Sequence, residues 1–309
     1  KIIVAPLNWG LGHASRCVPI INSLLQNNFN PVIASDGNAL EFLKKEFPNL
    51  ETLNLPNYHI KYGKNLKLNL LYQFPKIWKA VVNEKKIISK FVQKNKDIVG
   101  IISDNRFGVI SSKIPSVYIT HQINILSGIT TFLTSAIHQK IIRRYDECWI
   151  PDIDNSVFSG KLSISEKSLN QKYIGLLSRF QKQKLKKNID ILILLSGPEP
   201  NRTVLENKLK LSFYNTDKNI VLVQGKVEKE QKISLENNIK IYNFMLSNEL
   251  ENQLNATKKV ICRAGYSSIM DLITLEKEAV VIPTKNQTEQ EYLAKHLFKN
   301  SNFTFLNED

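Results

Sequence analysis

Cysteine is scarce: Cys17, Cys148 and Cys262 are the three thiols in 309 residues. They lack metal-ligand or disulfide spacing, which excludes a thiolate cluster and a disulfide framework and points to a reducing, cytosolic setting. They read as small buried apolar residues. Long apolar runs are missing too: no stretch approaches the roughly 18 uninterrupted apolar residues of a membrane span. No leader segment is expected, because Lys1 runs straight into IIVAP. The missing initiator Met and the abrupt NED ending read as a processed or trimmed chain. Also lacking are short-period repeats, low-complexity tracts, a Walker sequence and a full GxGxxG. No nucleic-acid module is recognisable, nor the interleaved aromatic and basic residues of single-strand binders, so nucleic acid is not expected as a partner.

Acidic residues are under-represented in one half only. From Lys1 to Arg179 there are 23 basic and 12 acidic residues; from Phe180 to Asp309 there are 19 and 16, so net charges of +11 and +3 make up the total of +14. A field concentrated in the first half favours an anionic partner such as a membrane surface or a phosphorylated substrate. A Lys-rich solvated surface accounts for it equally well. The basic segment Leu66 to Gln93, with Trp78 and Phe91, allows the same two readings. It is either a helix lying on a membrane or a core-facing helix with a solvated lysine edge, and Pro75 should break or begin it.

What is present is an apolar fraction of 42%, enough for real cores. It is arranged as short buried-strand runs alternating with helical segments. KIIVAP, NPVIAS, ETLNLP, IVGIIS, PSVYIT and ECWIP occupy the first half; DILILLS, NIVLVQG, KIYNF, KVICRAG, AVVIP and FTFL occupy the second. Strand and helix in alternation mean parallel sheets with crossover helices, hence α/β. A full set of strands occurs twice, so two Rossmann-like domains in series are predicted, residues 1–178 and 179–309. The boundary falls near KYIGLLSRFQKQKLKKN, where a basic, linker-like stretch begins.

Polar residues at strand ends are the candidates for chemistry, since open α/β sheets bind ligands there. PLNWGLGHASR follows the first strand: Gly10 and Gly12 permit a tight turn, a helix begins around Ala14, and His13 at the sheet edge is suited to act as a general base. Asp104 ends IVGIISD, and THQINILSG places His121, Gln122 and Asn124 on the same edge, although such loop residues also commonly satisfy local backbone groups. In the second half Ser196 and Gly197 after DILILL suit a diphosphate; Pro198 and Pro200 each remove an amide donor, and Arg202 is placed to supply positive charge. RAGYSSIMD and the polar loop TKNQTEQ follow the next two strands, offering hydroxyl-rich ligands an acid, Asp271, and a Gln/Glu cluster. Asp36 is a nominal ribose candidate. Asp152 and Asp154 form a DxD that reads better as turn material than as a metal site.

Together these motifs resemble the GT-B glycosyltransferases, and within them the MurG-like family 28, over nearly the whole chain. GLGHASR is similar to the family's glycine turn with its histidine, HQINILSG to its acceptor loop, YNFML to its base-binding segment, RAGYSSIMD to its R-[SA]-G-x-[ST]-x-x-x-E run and QTEQ to its sugar-binding loop. The resemblance implies two Rossmann-like domains with a cleft between them and a UDP-sugar donor held mainly by the second. Asp271 would meet the ribose and Phe244 the base. Ser196, Gly197, Arg202, Arg263, Gly265, Ser267 and Ser268 would meet the diphosphate, and Gln287, Glu289 and Gln290 the sugar. The acceptor, phosphorylated or lipid-linked, would lie against Gly10, Gly12, Arg16, Asp104, His121, Gln122 and Asn124, with His13 as base for an inverting transfer of a hexose or N-acetylhexosamine. No metal or other cofactor is implied, and a cytoplasmic enzyme in peripheral contact with the inner face of an anionic membrane is expected. The chain departs from the pattern at Asp271, where the family usually has Glu, shortening the reach by roughly 1.5 Å. It departs again at Leu293, at GLGH and at HQIN, which lacks an acidic member, so it looks like a divergent relative. A UDP-sugar hydrolase or 2-epimerase of the same fold is the alternative enzyme, and a basic nucleotide- or nucleic-acid-binding protein the non-enzymatic one.

Overall fold

The computed structural model describes residues 1–58, 66–164, 169–197, 199–298 and 302–308. It divides into two compact units: Lys1–Trp9 with His13–Leu177, and Ser178–Asp309 with Gly10–Gly12.

The first unit is a seven-stranded parallel sheet. In chain order its strands are β1 (Ile2–Pro6), β2 (Pro31–Ser35), β3 (Glu51–Asn54), β4 (Gly100–Asp104), β5 (Ser116–Ile119), β6 (Glu147–Ile150) and β7 (Gln171–Tyr173). They lie in the spatial order β3-β2-β1-β4-β5-β6-β7, all pairs parallel. Helices α1 (Gly12–Gln26), α2 (Gly37–Glu46), α3 (Leu66–Lys94) and α4 (Thr131–Ile142) form the crossovers. Because side chains alternate across a strand, Ile3, Ala5 and Ile101 face one way, against Ile88 and Val92 of α3. Their neighbour Ile102 faces the other way with Ile119, against Ile20 of α1.

α3 runs unbroken through Pro75, contrary to the sequence expectation. A proline inside a helix costs about 3 kcal/mol, but Ala80, Glu84, Ile88 and Val92 repeat every fourth residue and are all buried. That burial offsets the defect. Phe91 packs inward with this stripe, while Lys79, Lys85, Lys86 and Lys90 are exposed. Over these residues α3 is therefore a core-facing helix with a lysine edge, and of the two aromatics only Trp78, 57% exposed, faces solvent.

The second unit repeats the plan with β8 (Ile189–Leu194), β9 (Ile220–Val223), β10 (Ile233–Glu236), β11 (Ile239–Tyr242), β12 (Thr257–Cys262), β13 (Glu278–Val281) and β14 (Phe303–Phe305). Its order is β10-β11-β9-β8-β12-β13-β14, parallel except for β10, an antiparallel edge strand on β11. Helices α5 (Asn201–Ser212), α6 (Ser247–Ala256), α7 (Tyr266–Thr274) and α8 (Thr288–Phe298) connect the strands. The core on one face joins Ile191, Ile193, Ile220, Leu222 and Ile261 to Leu205 and Leu209 of α5.

The basic stretch after residue 177 is no free linker. Phe180 is buried, Gln181 N donates to Glu251 at 2.6 Å and Gln183 N to Asn255 at 2.9 Å. Asn255 returns a bond to Gln181 O at 2.9 Å. The segment is strapped along α6 and belongs to the second unit.

Candidate functional site

Both sheets share the doubly wound order in which successive crossovers leave a central strand in opposite directions, opening a crevice beyond the strand ends at that point. In the first unit that point lies between β1 and β4, and the loops leaving them carry His13 and Asp104. Gly10 makes the turn with φ +77°, a conformation that glycine adopts without strain. α1 then starts at Gly12, two residues ahead of the predicted Ala14.

A compact polar cluster results. His13 Nδ1 lies 2.9 Å from Asp104 Oδ1. Arg16, one turn further along α1, grips the same carboxylate with two nitrogens: Nε donates to Oδ2 at 2.5 Å and Nη2 to Oδ1. Its Nη2 is also 2.9 Å from His13 Nδ1, and its Nη1 is 3.0 Å from His121 Nδ1. Arg16 and Asp104 are completely enclosed, whereas the His13 side chain keeps 14% of its surface. Burial pushes the His13 imidazolium down, only partly opposed by the Asp104 charge, so the ring is neutral near pH 7. Burial works against the Asp104 carboxylate, yet the Arg16 guanidinium and His13 hold it well below the usual carboxylate range. A neutral histidine whose Nδ1 faces a fixed carboxylate presents a basic Nε2, as general-base catalysis requires.

Several of the acceptor-side candidates are engaged within the fold. Arg16 and Asp104 have no surface left for a ligand; they act on His13 instead. Asn124 is spent on its own fold: its side-chain amide donates to Lys161 O and Ile164 O at 2.9 and 2.6 Å, and its Oδ1 accepts from Gln139. It pins the loop after β5 to the turn at residues 161–164. His121 is buried beside Arg16, while Gln122, partly exposed, hangs its backbone N on Thr120 Oγ1 at 3.0 Å. Gly10 is exposed and Gly12 half-buried.

Sequence reasoning missed a second buried polar system beside this one. Arg106, two residues past Asp104, donates to Glu84 of α3 at 2.6 Å, to Asp36 at 2.7 Å and to Pro56 O at 2.7 Å. Glu84 also accepts from Tyr58 at 2.6 Å and from Gly108 N at 3.1 Å. Asp36 is thereby committed to Arg106 and Asn8, not held ready for a ribose. The carbonyl of Arg106 accepts from Ser103 and Tyr145, fixing the turn that carries Asp104. The one sequence signal was Arg106 itself, a charge directly after a buried strand.

In the second unit the equivalent strand ends are those of β8 and β12. Ser196 and Gly197 follow β8, both partly exposed, with Gly197 at φ +96°; Pro198, the first of the two prolines noted there, lies outside the described residues. Gly265 caps α7 in an extended conformation, and Ser267 and Ser268 are half-buried in its first turn. First-turn amides have no carbonyl partner within their helix and favour negative charge. At the start of α8, Gln287 and Glu289 are partly exposed, and Gln290 Oε1 accepts from Thr284 N at 2.9 Å, holding the loop after β13.

Four donor-side candidates are engaged within the protein. Arg202 is buried against Glu206 at 3.1 Å and against Glu199, so its charge is already balanced. Arg263 is buried at the end of β12, where Nη1 meets Glu308 at 2.7 Å and Nη2 meets Asn201 O at 2.9 Å. It ties β12 to α5 and to the last described residues instead of reaching toward a ligand. The Phe244 ring is buried, and its carbonyl accepts from Gln231 Nε2 at 2.9 Å; that side chain has to share or leave the carbonyl before a base can use it. Asp271 faces inward, accepting from Ser178 Oγ at 2.7 Å, and burial pushes its carboxyl up to about 6.

Asp152 of the DxD is buried and takes the backbone amides of Ile153 and Ser159, each at 2.7 Å, together with the Ser159 hydroxyl. It is turn material, as expected. Among the described residues no group of three His, Cys, Asp or Glu side chains is arranged to hold a metal ion.

Comparison with known proteins agrees with this plan. Residues 198–308 match the glycosyltransferase family 28 C-terminal domain. The chain is 24% identical over 318 residues to the UDP-N-acetylglucosamine--N-acetylmuramyl-(pentapeptide) pyrophosphoryl-undecaprenol N-acetylglucosamine transferase of Clostridium botulinum (strain Alaska E43 / Type E3), covering 96% of this chain and 83% of that protein. Among solved structures it superposes on the glycotransferase of kitacinnamycin with a TM-score of 0.66 at 14% identity, covering 99% of this chain and 85% of that one. MurG of Acinetobacter baumannii gives a TM-score of 0.57 at 14% identity, with 99% and 85% covered. UGT89C1 of Arabidopsis thaliana, complexed with quercetin, gives 0.66 at 10%, with 100% and 85% covered. With a doubly wound sheet in each unit and a match to the glycosyltransferase family 28 C-terminal domain in the second, the chain has the GT-B fold and is similar to MurG-like glycosyltransferases.

Proposed function

We propose that the enzyme transfers a hexose or N-acetylhexosamine from a UDP-sugar to a hydroxyl of a cell-envelope or lipid-linked acceptor, with inversion at the anomeric carbon. The observation that carries this reading is the His13–Asp104 pair: a partly exposed imidazole whose Nδ1 lies 2.9 Å from a buried carboxylate, which leaves Nε2 to act as the base. Nε2 takes the acceptor hydroxyl's proton as that oxygen bonds to the anomeric carbon. The bond from that carbon to the diphosphate breaks, and UDP leaves with its electron pair. Charge growing on the diphosphate is met by the first-turn amides of α7 and by the Ser196–Gly197 turn. The nature of donor and acceptor follows the Clostridium botulinum relative, whose name specifies a UDP-sugar and an undecaprenol-linked substrate.

An acceptor held in a membrane requires the enzyme to reach it. No helix among the described residues is long and apolar enough to cross a bilayer, but α4 carries Phe132, Leu133 and Ile137 at 82%, 62% and 53% exposure. Lys140, Arg143 and Arg144 are exposed at its other end. Apolar anchors beside cations suit peripheral contact with the anionic inner face of the plasma membrane. The test is UDP release on mixing the enzyme with UDP-sugars and candidate acceptors. Absence of UDP binding by calorimetry sinks the reading, and sugar release or epimerisation without any acceptor replaces it with a hydrolase or 2-epimerase.

A further inference from the structure

Arg16 touches both histidines of the first unit's cluster, and the bookkeeping of its hydrogens fixes where theirs lie. A guanidinium has five N–H donors and no acceptor. The nitrogen it meets in His121, Nδ1 at 3.0 Å from Nη1, must therefore be a bare lone pair, which leaves the ring's proton on Nε2. His13 Nδ1 has two neighbours at 2.9 Å, Asp104 Oδ1 and Arg16 Nη2. A carboxylate accepts and never donates, and a hydrogen bond to a charged acceptor is about twice as strong as a neutral one. Nδ1 of His13 accordingly carries the proton and donates it to Asp104, and Nη2 lies close because it donates to the same Asp104 Oδ1. The opposite choice, Nδ1 accepting from Nη2, would put the proton on Nε2 and leave no base.

We propose that Arg16 is a positioning residue: it orients the Asp104 carboxylate that holds His13 as Nδ1–H with a basic Nε2, and it directly sets His121 as an Nε2–H donor. The proposal rests on the reading of His13 as the base and supplies what that reading lacks, the device that selects its proton position. Arg16 also keeps the base neutral. The titratable groups facing His13 are Asp104 on β4, Arg16 on its own helix and His121 after β5. Cys17, whose Sγ lies 3.7 Å from Asp104 Oδ2, stays an uncharged thiol because burial pushes it up. Asp104 favours the imidazolium and Arg16 opposes it. The cation thus prevents the carboxylate that orients the histidine from also protonating it.

The experiment is a long-range proton–nitrogen correlation spectrum of the full chain labelled at its five histidines, followed from pH 5 to 9. His13→Gln and His121→Gln spectra assign the two rings. The wild type should show His13 as Nδ1–H and His121 as Nε2–H. Arg16→Gln should release His121 into a tautomer mixture and raise the His13 pKa by about one unit or more, the usual effect of a charge within about 4–6 Å; the acidic limb of kcat should move up by the same amount. Should Arg16→Gln fail to fold, Arg16→Lys decides: it retains the charge and loses the fork, so the His121 tautomer should average while His13 titrates as in the wild type. A wild-type His13 protonated on Nε2, or variants that leave both tautomers unmoved, overturns the proposal. The spectra need no substrate, so an enzyme that releases no UDP but shows the two tautomers refutes the functional reading and spares this one.

Discussion

Replacing Arg106 by Ala should be among the most damaging single changes in the first unit. Its guanidinium is completely enclosed and bonded to Glu84, to Asp36 and to the carbonyls of Pro6 and Pro56. Glu84 is equally enclosed, and removing its cation leaves a buried carboxylate with only Tyr58 and the Gly108 amide as donors. Breaking a buried pair from one side costs about 3–5 kcal/mol. In a unit of this size that is a melting shift of about 6–20 °C. The chain's three tryptophans, Trp9, Trp78 and Trp149, all precede residue 177, so fluorescence-monitored urea unfolding reports on the first unit selectively. The cost should also depend on pH in a defined sense. Burial already raises the Glu84 carboxyl, opposed by Arg106; without Arg106 the folded value rises further above the unfolded one. Such a group stabilises most at low pH and loses that contribution as pH rises toward its folded value. The destabilisation should therefore be smaller at pH 5 than at pH 8, and Glu84→Gln in the Arg106→Ala background should recover part of it. A loss below about 1 kcal/mol, or one of equal size at both pH values, would refute the idea that Arg106 acts by neutralising Glu84.

Other expectations follow from single groups. His13→Ala should lower turnover by about 10²–10⁴-fold while leaving UDP affinity by calorimetry intact. Burial holds Asp271 at about 6 against an ordinary 3.8. A raised folded value means that its contribution to stability is full below about pH 4 and is lost as pH rises toward 6, to a limit of about 3 kcal/mol. Asp271→Asn, which can still accept from Ser178, should then be more stable than the wild type at pH 7 and lose that slope in denaturant titrations. Cys148 and Cys262 are buried with thiols pushed up to about 12. Neither should react with an alkylating reagent at pH 8 until denaturant is added, as mass spectrometry will show.

The twelve strands read from the sequence all form; most are apolar runs closed by a turn residue, which burial on both faces of a parallel sheet enforces, whereas β3, at an edge, is exposed at three of its four residues. The two that escaped notice, β7 and β10, lie at sheet edges. β10 is exposed along its whole length, so it has no burial pattern to betray it, and its antiparallel bonds to β11 hold it in place. The site was legible in position and not in direction. Strand ends at the turning point of each sheet held the polar residues as expected, but the chain gives no sign of whether a charge beside a strand points out to a ligand or back under the sheet edge. Arg16, Asp104, Arg106, Arg202 and Arg263 all point back. Most do so because a partner distant in sequence completes them: Asp104 lies 88 residues from Arg16, and Glu308 lies 45 from Arg263; Arg202 is the exception, balanced by Glu199 and Glu206 within a turn of it. An inward charge needs its counter-charge and its hydrogen bonds at the same point in space, and only the fold supplies that coincidence. The place of His13 at the sheet edge was legible from a glycine turn because backbone geometry, a local property, placed it. The carboxylate and guanidinium that decide its protonation arrive from other turns and strands, and so the residue most exposed to chemistry is also the one whose chemistry depends most on what is buried behind it.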